Sequence, residues 1–169
     1  MAAPNTALAF IGLGANLGDP VAQIRAAMRA LAQMPCARLR ACSSLYRTAP
    51  VGDADQPDFI NAVCAVETER APLDLLNDLR ALEALSGRTR DRERPNGPRT
   101  LDLDLLLYDE LAVNVPGLTL PHPRMHERAF VLFPLRELAP DRVIPGFGTV
   151  SALAARCGGQ RIERIADVG

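Results

Sequence analysis

The chain has 169 residues, a net charge of −1, 48% hydrophobic residues and 23% charged residues. That is the profile of a folded globular chain rather than a disordered one, and its length suits a single domain across residues 1–169. The near-zero net charge gives no basic excess with which to hold nucleic acid, and all 19 basic residues are arginine. The absence of lysine excludes a P-loop lysine, a Schiff-base lysine and a lysine general base, and leaves any phosphate to arginine, backbone N–H groups, histidine or metal.

Residues 8–13 form a short apolar run, which predicts a strand. The Gly12-Leu13-Gly14-Ala15-Asn16-Leu17-Gly18-Asp19 segment predicts a glycine-rich turn at its end. The start has no basic flank and too few apolar residues for a signal peptide or a membrane span. The cysteines, Cys36, Cys42, Cys64 and Cys157, make no C-x-x-C pair. Together these features predict a cytoplasmic protein in a reducing compartment, with Cys42 and Cys64 as small buried hydrophobes. Asp19 and Pro20 predict a helix start, with Ile24, Ala27, Met28 and Leu31 as its apolar stripe and Pro35 beyond its end. A second strand is predicted over 38–47 and a Pro/Gly/Asp-rich loop over 48–58. A third strand, antiparallel to the second, is predicted over 59–67. Pro72 opens a second helix with Leu75, Leu76, Leu79, Leu82 and Leu85 on its buried side and Gly87 as its stop. An exposed arginine-rich loop follows over 88–100, then a fourth strand over 101–108. Residues 127–138 read as a helix that Pro134 kinks or delimits, 151–156 as a short helix and 161–165 as a final strand. The order β-α-β-β-α-β predicts an α+β, ferredoxin-like sandwich with an antiparallel sheet and a C-terminal extension.

The fourth strand carries the most chemistry. Strand alternation places Leu101, Leu103, Leu105 and Leu107 on one face and Asp102 and Asp104 on the other, with the two aspartate Cα atoms roughly 6.5–7 Å apart. Two like charges on one face repel, and a cation between them relieves the repulsion. Magnesium suits this site because it takes much of its shell from water and phosphate, and two carboxylates at this spacing can serve two ions. Alternation alone favours a strand edge whose aspartates face water. The arginines at 88, 90, 92, 94 and 99 run into the acidic pair, although Asp91 and Glu93 partly balance them. A solvated charge run explains the arginines equally well on their own, but acidic metal ligands beside clustered arginines are the parts a triphosphate site needs. Phe59 and Asn61 share a face of the third strand, offering a stacking surface and an amide to a flat heteroaromatic ring. On the residues alone, ordinary core and a strand-end hydrogen bond are the favoured reading.

Gly97-Pro98-Arg99-Thr100-Leu101-Asp102-Leu103-Asp104 resembles the signature of the hydroxymethyldihydropterin pyrophosphokinases. Four further segments match in the family's order: residues 14–19, Ser44-Leu45-Tyr46-Arg47-Thr48, residues 55–62, and Leu120-Pro121-His122-Pro123 with Arg128 and Phe130 downstream. The resemblance spans roughly residues 8–145. It implies transfer of the β,γ-pyrophosphoryl group of ATP to the hydroxymethyl oxygen of 6-hydroxymethyl-7,8-dihydropterin, with release of AMP. It implies two Mg2+ ions on Asp102 and Asp104 and ATP as co-substrate. It also implies a monomer acting on small molecules, without nucleic acid or membrane. For ATP it implies Arg88, Arg90, Arg99, His122 and Arg128 on the phosphates, with Arg88, Arg90 and Arg99 also catalytic. Glu83, Leu105 and Thr119 then fall near the nucleotide, although Glu83 serves equally as a helix-surface partner of a loop arginine. For the pterin it implies stacking between Phe59 and Phe130, with Asn61, Gly14, Thr48, Ala49 and Val51 around the ring. The chain departs from some relatives in having no tryptophan in the arginine loop, Gly117 in place of a basic residue and Pro123 in place of tyrosine. Another two-metal nucleotidyltransferase on the same architecture remains open, separated by releasing pyrophosphate instead of AMP. A non-catalytic binding module would show no metal dependence.

Overall fold

The computed structural model describes residues 6–50, 55–86 and 100–165. Strand β1 (Ala7–Ala15) and strand β4 (Phe59–Thr68) are nearly continuous apolar runs. They are apolar on both faces because each lies between two other strands and is covered from above and below. β1 pairs antiparallel with β4 on one side and with β5 (Asp102–Tyr108) on the other. The predicted glycine turn is displaced: the strand continues through Gly12 and Gly14, and the chain turns at Gly18, which has φ +64°.

The expected second strand is two strands. β2 (Ala37–Cys42) pairs with the far half of β4, and β3 (Tyr46–Thr48) pairs with its beginning. Between them Ser43 keeps contact with β4 by other means. Its N–H donates to the Val63 carbonyl at 2.8 Å, and its hydroxyl accepts from the Val63 N–H at 2.9 Å. A serine side chain thus replaces a ladder carbonyl, and the chain bends without losing a buried bond. β10 (Ile162–Arg164) joins the outer edge of β3, giving the order β10-β3-β4-β1-β5 with β2 also on β4. The sheet is antiparallel throughout.

Helices α1 (Pro20–Ala32) and α2 (Pro72–Leu85) cover one face of the sheet. Ile24, Ala27, Leu31, Leu75 and Leu79 pack there against alternate residues of the strands. Asp19 caps α1 by accepting from the Ala22 N–H at 3.2 Å, with Pro20 at its first position. In α2 the expectation for Leu85 fails: it is 85% exposed, while Glu83 is 4% exposed. At 3.6 residues per turn, positions 75, 79 and 83 share one stripe, and position 85 points away from it. α2 ends at Leu85 with Ser86 as its C-cap, and the proposed stop at Gly87 lies outside the described residues.

The opposite face is covered by α3 (Ala129–Leu138) and α4 (Val150–Ala155). A single 3-10 turn, Met125–Glu127, precedes α3, so the helix begins later than expected. It runs through the buried Pro134, which gives up the bond that an N–H at 134 would make to the Phe130 carbonyl. The last turn of α3 is tied to the β2–β3 junction. There Glu137 accepts from Tyr46 O–H and, at 3.0 Å each, from the N–H and hydroxyl of Ser44. Two hairpins were not anticipated: β6 (Val113–Val115) with β7 (Leu118–Leu120), and β8 (Val143–Ile144) with β9 (Gly148–Thr149).

β5 alternates as predicted as far as Leu105. Leu101, Leu103 and Leu105 enter the helix-side core, but Leu107 joins Leu106 in the core on the other face. The register explains the change. Ile11 pairs with Leu105 and Phe10 with Leu107, so Leu106 is an extra residue and everything after it switches face.

Candidate active site

The cross-strand register aligns the chemistry. Gly14 of β1 is the partner of Asn61 on β4 and also of Asp102 on β5. Gly12 is likewise flanked by Val63 and Asp104. Asn61, Gly14 and Asp102 therefore form one row across three strands, roughly 10 Å from end to end. Gly12 and Gly14 have no side chains to fill the middle of the face, so the row is a trough with a backbone floor. A Cβ at Gly14 would stand 3.1 Å from Asn61 Oδ1, and one at Gly12 would stand 3.3 Å from a Leu106 methyl. The trough lies in a pocket whose walls include Thr48, Phe59, Phe130 and Arg128, with Asp102 and Asp104 at one end.

Asn61 is buried, and its Nδ2 donates to Thr48 Oγ1 at 2.7 Å, which turns its Oδ1 toward Gly14. Phe59 and Phe130 both line the pocket, one from β4 and the other from the first turn of α3. Arg128 immediately precedes α3, and its guanidinium lies 5.3 Å from the centre of the Phe130 ring. Burial, then the nearby Arg124, pull its pKa below the ordinary arginine value. Asp104, Glu127 and Asp102 oppose that shift. Arg128 Nε is buried and has no hydrogen-bond partner among the described residues.

His122 is held by its backbone, whose N–H donates to the Leu106 carbonyl of β5 at 2.9 Å. Burial and the neighbouring Arg128 push its pKa below the ordinary imidazole value of 6.5, against Asp102, which favours the neutral imidazole. Its Nδ1 is buried without a hydrogen-bond partner among the described residues. The half-buried Arg128 guanidinium and the two carboxylates line the pocket, and His122 feels the charges of Arg128 and Asp102.

Three of the proposed nucleotide residues lie on β5, on the helix bonded to it and on β7. Leu105 is buried in the helix-side core, on the face opposite Asp102 and Asp104. Thr119 is exposed on β7, and its hydroxyl donates to Asn114 Oδ1 at 3.1 Å across the hairpin. Glu83 is no surface glutamate: it is buried, and its Oε2 accepts from the Leu103 N–H at 2.7 Å. β5 is an edge of the sheet, and Leu103 is the residue between the two aspartates. Glu83 thus supplies the acceptor that a further strand would have provided. Val51, Arg88, Arg90 and Arg99 lie outside the described residues, as does most of the arginine loop.

Gly12, Leu106 and Val131 line the pocket and were not anticipated. Gly12 was findable, because on a strand it shares a face with Gly14. Asn16 was also given no role. It is buried, and its Nδ2 donates to Gln56 Oε1 and to the Pro57 carbonyl at 2.9 Å each, tying the end of β1 to the segment that enters β4.

No group of three or more His, Cys, Asp or Glu residues with metal-ligand geometry occurs among the described residues. Two carboxylates fit a hard cation that completes its shell with water and phosphate oxygen, and do not fit a closed structural site.

The family model for 7,8-dihydro-6-hydroxymethylpterin-pyrophosphokinase matches residues 10–140. A 2-amino-4-hydroxy-6-hydroxymethyldihydropteridine pyrophosphokinase of Pseudomonas aeruginosa is 48% identical over 156 residues, covering 92% of this chain and 95% of that protein. One from Haemophilus influenzae is 42% identical over 157 residues, covering 93% of this chain and 97% of that protein. Among solved structures, Plasmodium falciparum HPPK-DHPS with pteroate superposes with a TM-score of 0.69 at 14% identity, covering 92% of this chain and 43% of that one, a likeness of fold. On the family match and these relatives together, the chain belongs to the 7,8-dihydro-6-hydroxymethylpterin-pyrophosphokinase family.

Proposed function

We propose that the trough between Asn61 and Asp102 is where this chain carries out pyrophosphoryl transfer from ATP to hydroxymethyldihydropterin in folate synthesis. Moving the β,γ-pyrophosphoryl group leaves AMP as the other product. The observation that supports this placement is the row Asn61–Gly14–Asp102. A bicyclic ring laid on the glycine floor has its amide edge at Asn61 and its hydroxymethyl arm directed toward the acidic pair. Thr48 orients the Asn61 amide, and Phe59 and Phe130 offer the two stacking faces. Glu83 holds β5 at Leu103, which keeps both carboxylates on the pocket side.

In this reading Asp102 and Asp104 hold Mg2+, two ions by the resemblance, and the metal supplies neutralisation of the phosphate charge as it is transferred. Arg128 brings a permanent positive charge to the same end, and neutral His122 offers a ring nitrogen to a phosphate oxygen. From the sequence match we assign Arg88, Arg90 and Arg99 to the triphosphate, Glu83, Leu105 and Thr119 to the neighbourhood of the nucleotide, and Ala49 and Val51 to the pterin. The strand order, with α1 and α2 on one face, supports a ferredoxin-like sandwich in one domain over residues 1–169. Among the described residues no helix is long and apolar enough to cross a membrane. We take the protein to be a cytoplasmic monomer acting on small molecules without nucleic acid.

The test is AMP release from ATP, measured with and without 6-hydroxymethyl-7,8-dihydropterin and with and without magnesium. AMP formation that needs all components supports the reading. Release of pyrophosphate as the small product would overturn it in favour of a nucleotidyltransferase.

A further inference from the structure

Away from the pocket, Cys42 and Cys64 bring two reactive side chains together. They are direct cross-strand partners on β2 and β4, and their sulfurs are 2.8 Å apart. Directly opposed residues in an antiparallel ladder have Cα atoms about 4.5–5.5 Å apart, inside the roughly 4.4–6.8 Å range that a disulfide needs. Closing the bond therefore needs side-chain rotation but no backbone shift. The two thiols also differ in access: Cys64 is fully buried, whereas Cys42 is half-buried at the end of β2. The contact between the two sulfurs, in which either thiol can donate, holds Cys42 below the ordinary thiol range, with burial opposing. Cys64 is itself pushed up. Access thus makes Cys42 the attacking sulfur and Cys64 the resolving one.

We propose that Cys42 and Cys64 are an oxidative modification site at which a peroxide closes a cross-strand disulfide. The Cys42 thiolate attacks a peroxide oxygen and the O–O bond breaks. This gives a sulfenic acid and a hydroxide that leaves as water after taking a proton. The Cys64 sulfur then attacks the Cys42 sulfur, the S–O bond breaks, the S–S bond forms, and the hydroxyl leaves as a second water with the Cys64 proton. The sulfur pair loses two electrons and the peroxide gains them. Cys64 belongs to the helix-side core and Cys42 packs against it, whereas Phe59 and Asn61 present their side chains to the opposite face. The bridge staples β2 to β4 beneath α1 and leaves the pocket clear, so the oxidised protein stays active.

The purified full chain is treated with stoichiometric hydrogen peroxide and analysed by intact mass, peptide mapping and thiol alkylation. The expected result is loss of two hydrogens, a linked Cys42–Cys64 peptide, Cys36 and Cys157 still open to alkylation after denaturation, and reversal by dithiothreitol. Pterin-dependent AMP release is retained, and C42A and C64A form no such bridge. If either variant fails to fold, the wild-type peptide map alone decides. Oxygen addition at Cys42 without a bridge, a bridge to Cys36 or between molecules, or loss of AMP release on bridging would each overturn the proposal.

Discussion

The two faces of this sheet are built from the same strands and do opposite things. On the helix side, Leu101, Leu103 and Leu105 of β5 and Ile11 and Leu13 of β1 fill the space under α1 and α2, and the face is closed. On the other side the intervening residues of the same strands are Asp102, Asp104, Gly12 and Gly14, and beside the core under α3 and α4 this part of the face is left open as a trough. Residues one position apart therefore divide between stability and chemistry. Among the described residues, the acid that crosses the division is Glu83, which stands among leucines of the stability face and braces the strand that carries the aspartates.

Breaking the chemical face at its charged end has the largest expected effect. Asp102→Ala or Asp104→Ala should lower AMP release by on the order of 10²–10³-fold or more, while removing repulsion between like charges in the unliganded protein. Steady-state kinetics and thermal unfolding of each variant check this together. Near-normal turnover in either variant removes its carboxylate from the metal site.

Filling the trough is the next test. Gly14→Ala places a Cβ 3.1 Å from Asn61 Oδ1, on the floor where the ring is proposed to lie. The variant should raise KM for the pterin on the order of 10–100-fold and leave KM for ATP near wild type. Equal loss for both substrates would mean that the glycine serves the fold and not the ring.

The crossing residue separates the two faces energetically. Glu83→Ala leaves the buried Leu103 N–H without its acceptor and should cost about 1–3 kcal/mol of stability. Glu83→Gln keeps an acceptor oxygen and should cost less. Chemical denaturation measures both. If the alanine variant is as stable as wild type but binds ATP poorly, Glu83 is a nucleotide contact and not a brace.

The smallest effect sharpens the boundary of the stability face within one helix. Leu79→Ala should cost about 2–5 kcal/mol, whereas Leu85→Ala should stay within about 0.5 kcal/mol of wild type, since Leu85 is 85% exposed. A large loss at position 85 would show that Leu85 is covered in solution.

What the sequence determined by itself is what backbone geometry dictates locally. Strand alternation set Asp102 and Asp104 on the face opposite Leu101, Leu103 and Leu105, put Phe59 and Asn61 on one face, and the Asp19–Pro20 pair started α1, all without knowledge of any neighbour. The same geometry already held the answer for Glu83 and Gly12, since helical spacing from Leu75 and Leu79 and strand spacing from Gly14 give both positions. What only the tertiary structure decided is non-local. The extra residue at Leu106 that turns Leu107 to the other face depends on how β5 registers with Phe10 and Ile11. The split of one predicted strand into β2 and β3 depends on Ser43 finding Val63. The row Asn61–Gly14–Asp102 depends on β1 lying between two strands that are distant from it in sequence. Side-chain periodicity is a property of one segment, whereas register and neighbour order are set by which segments bury their apolar faces against each other.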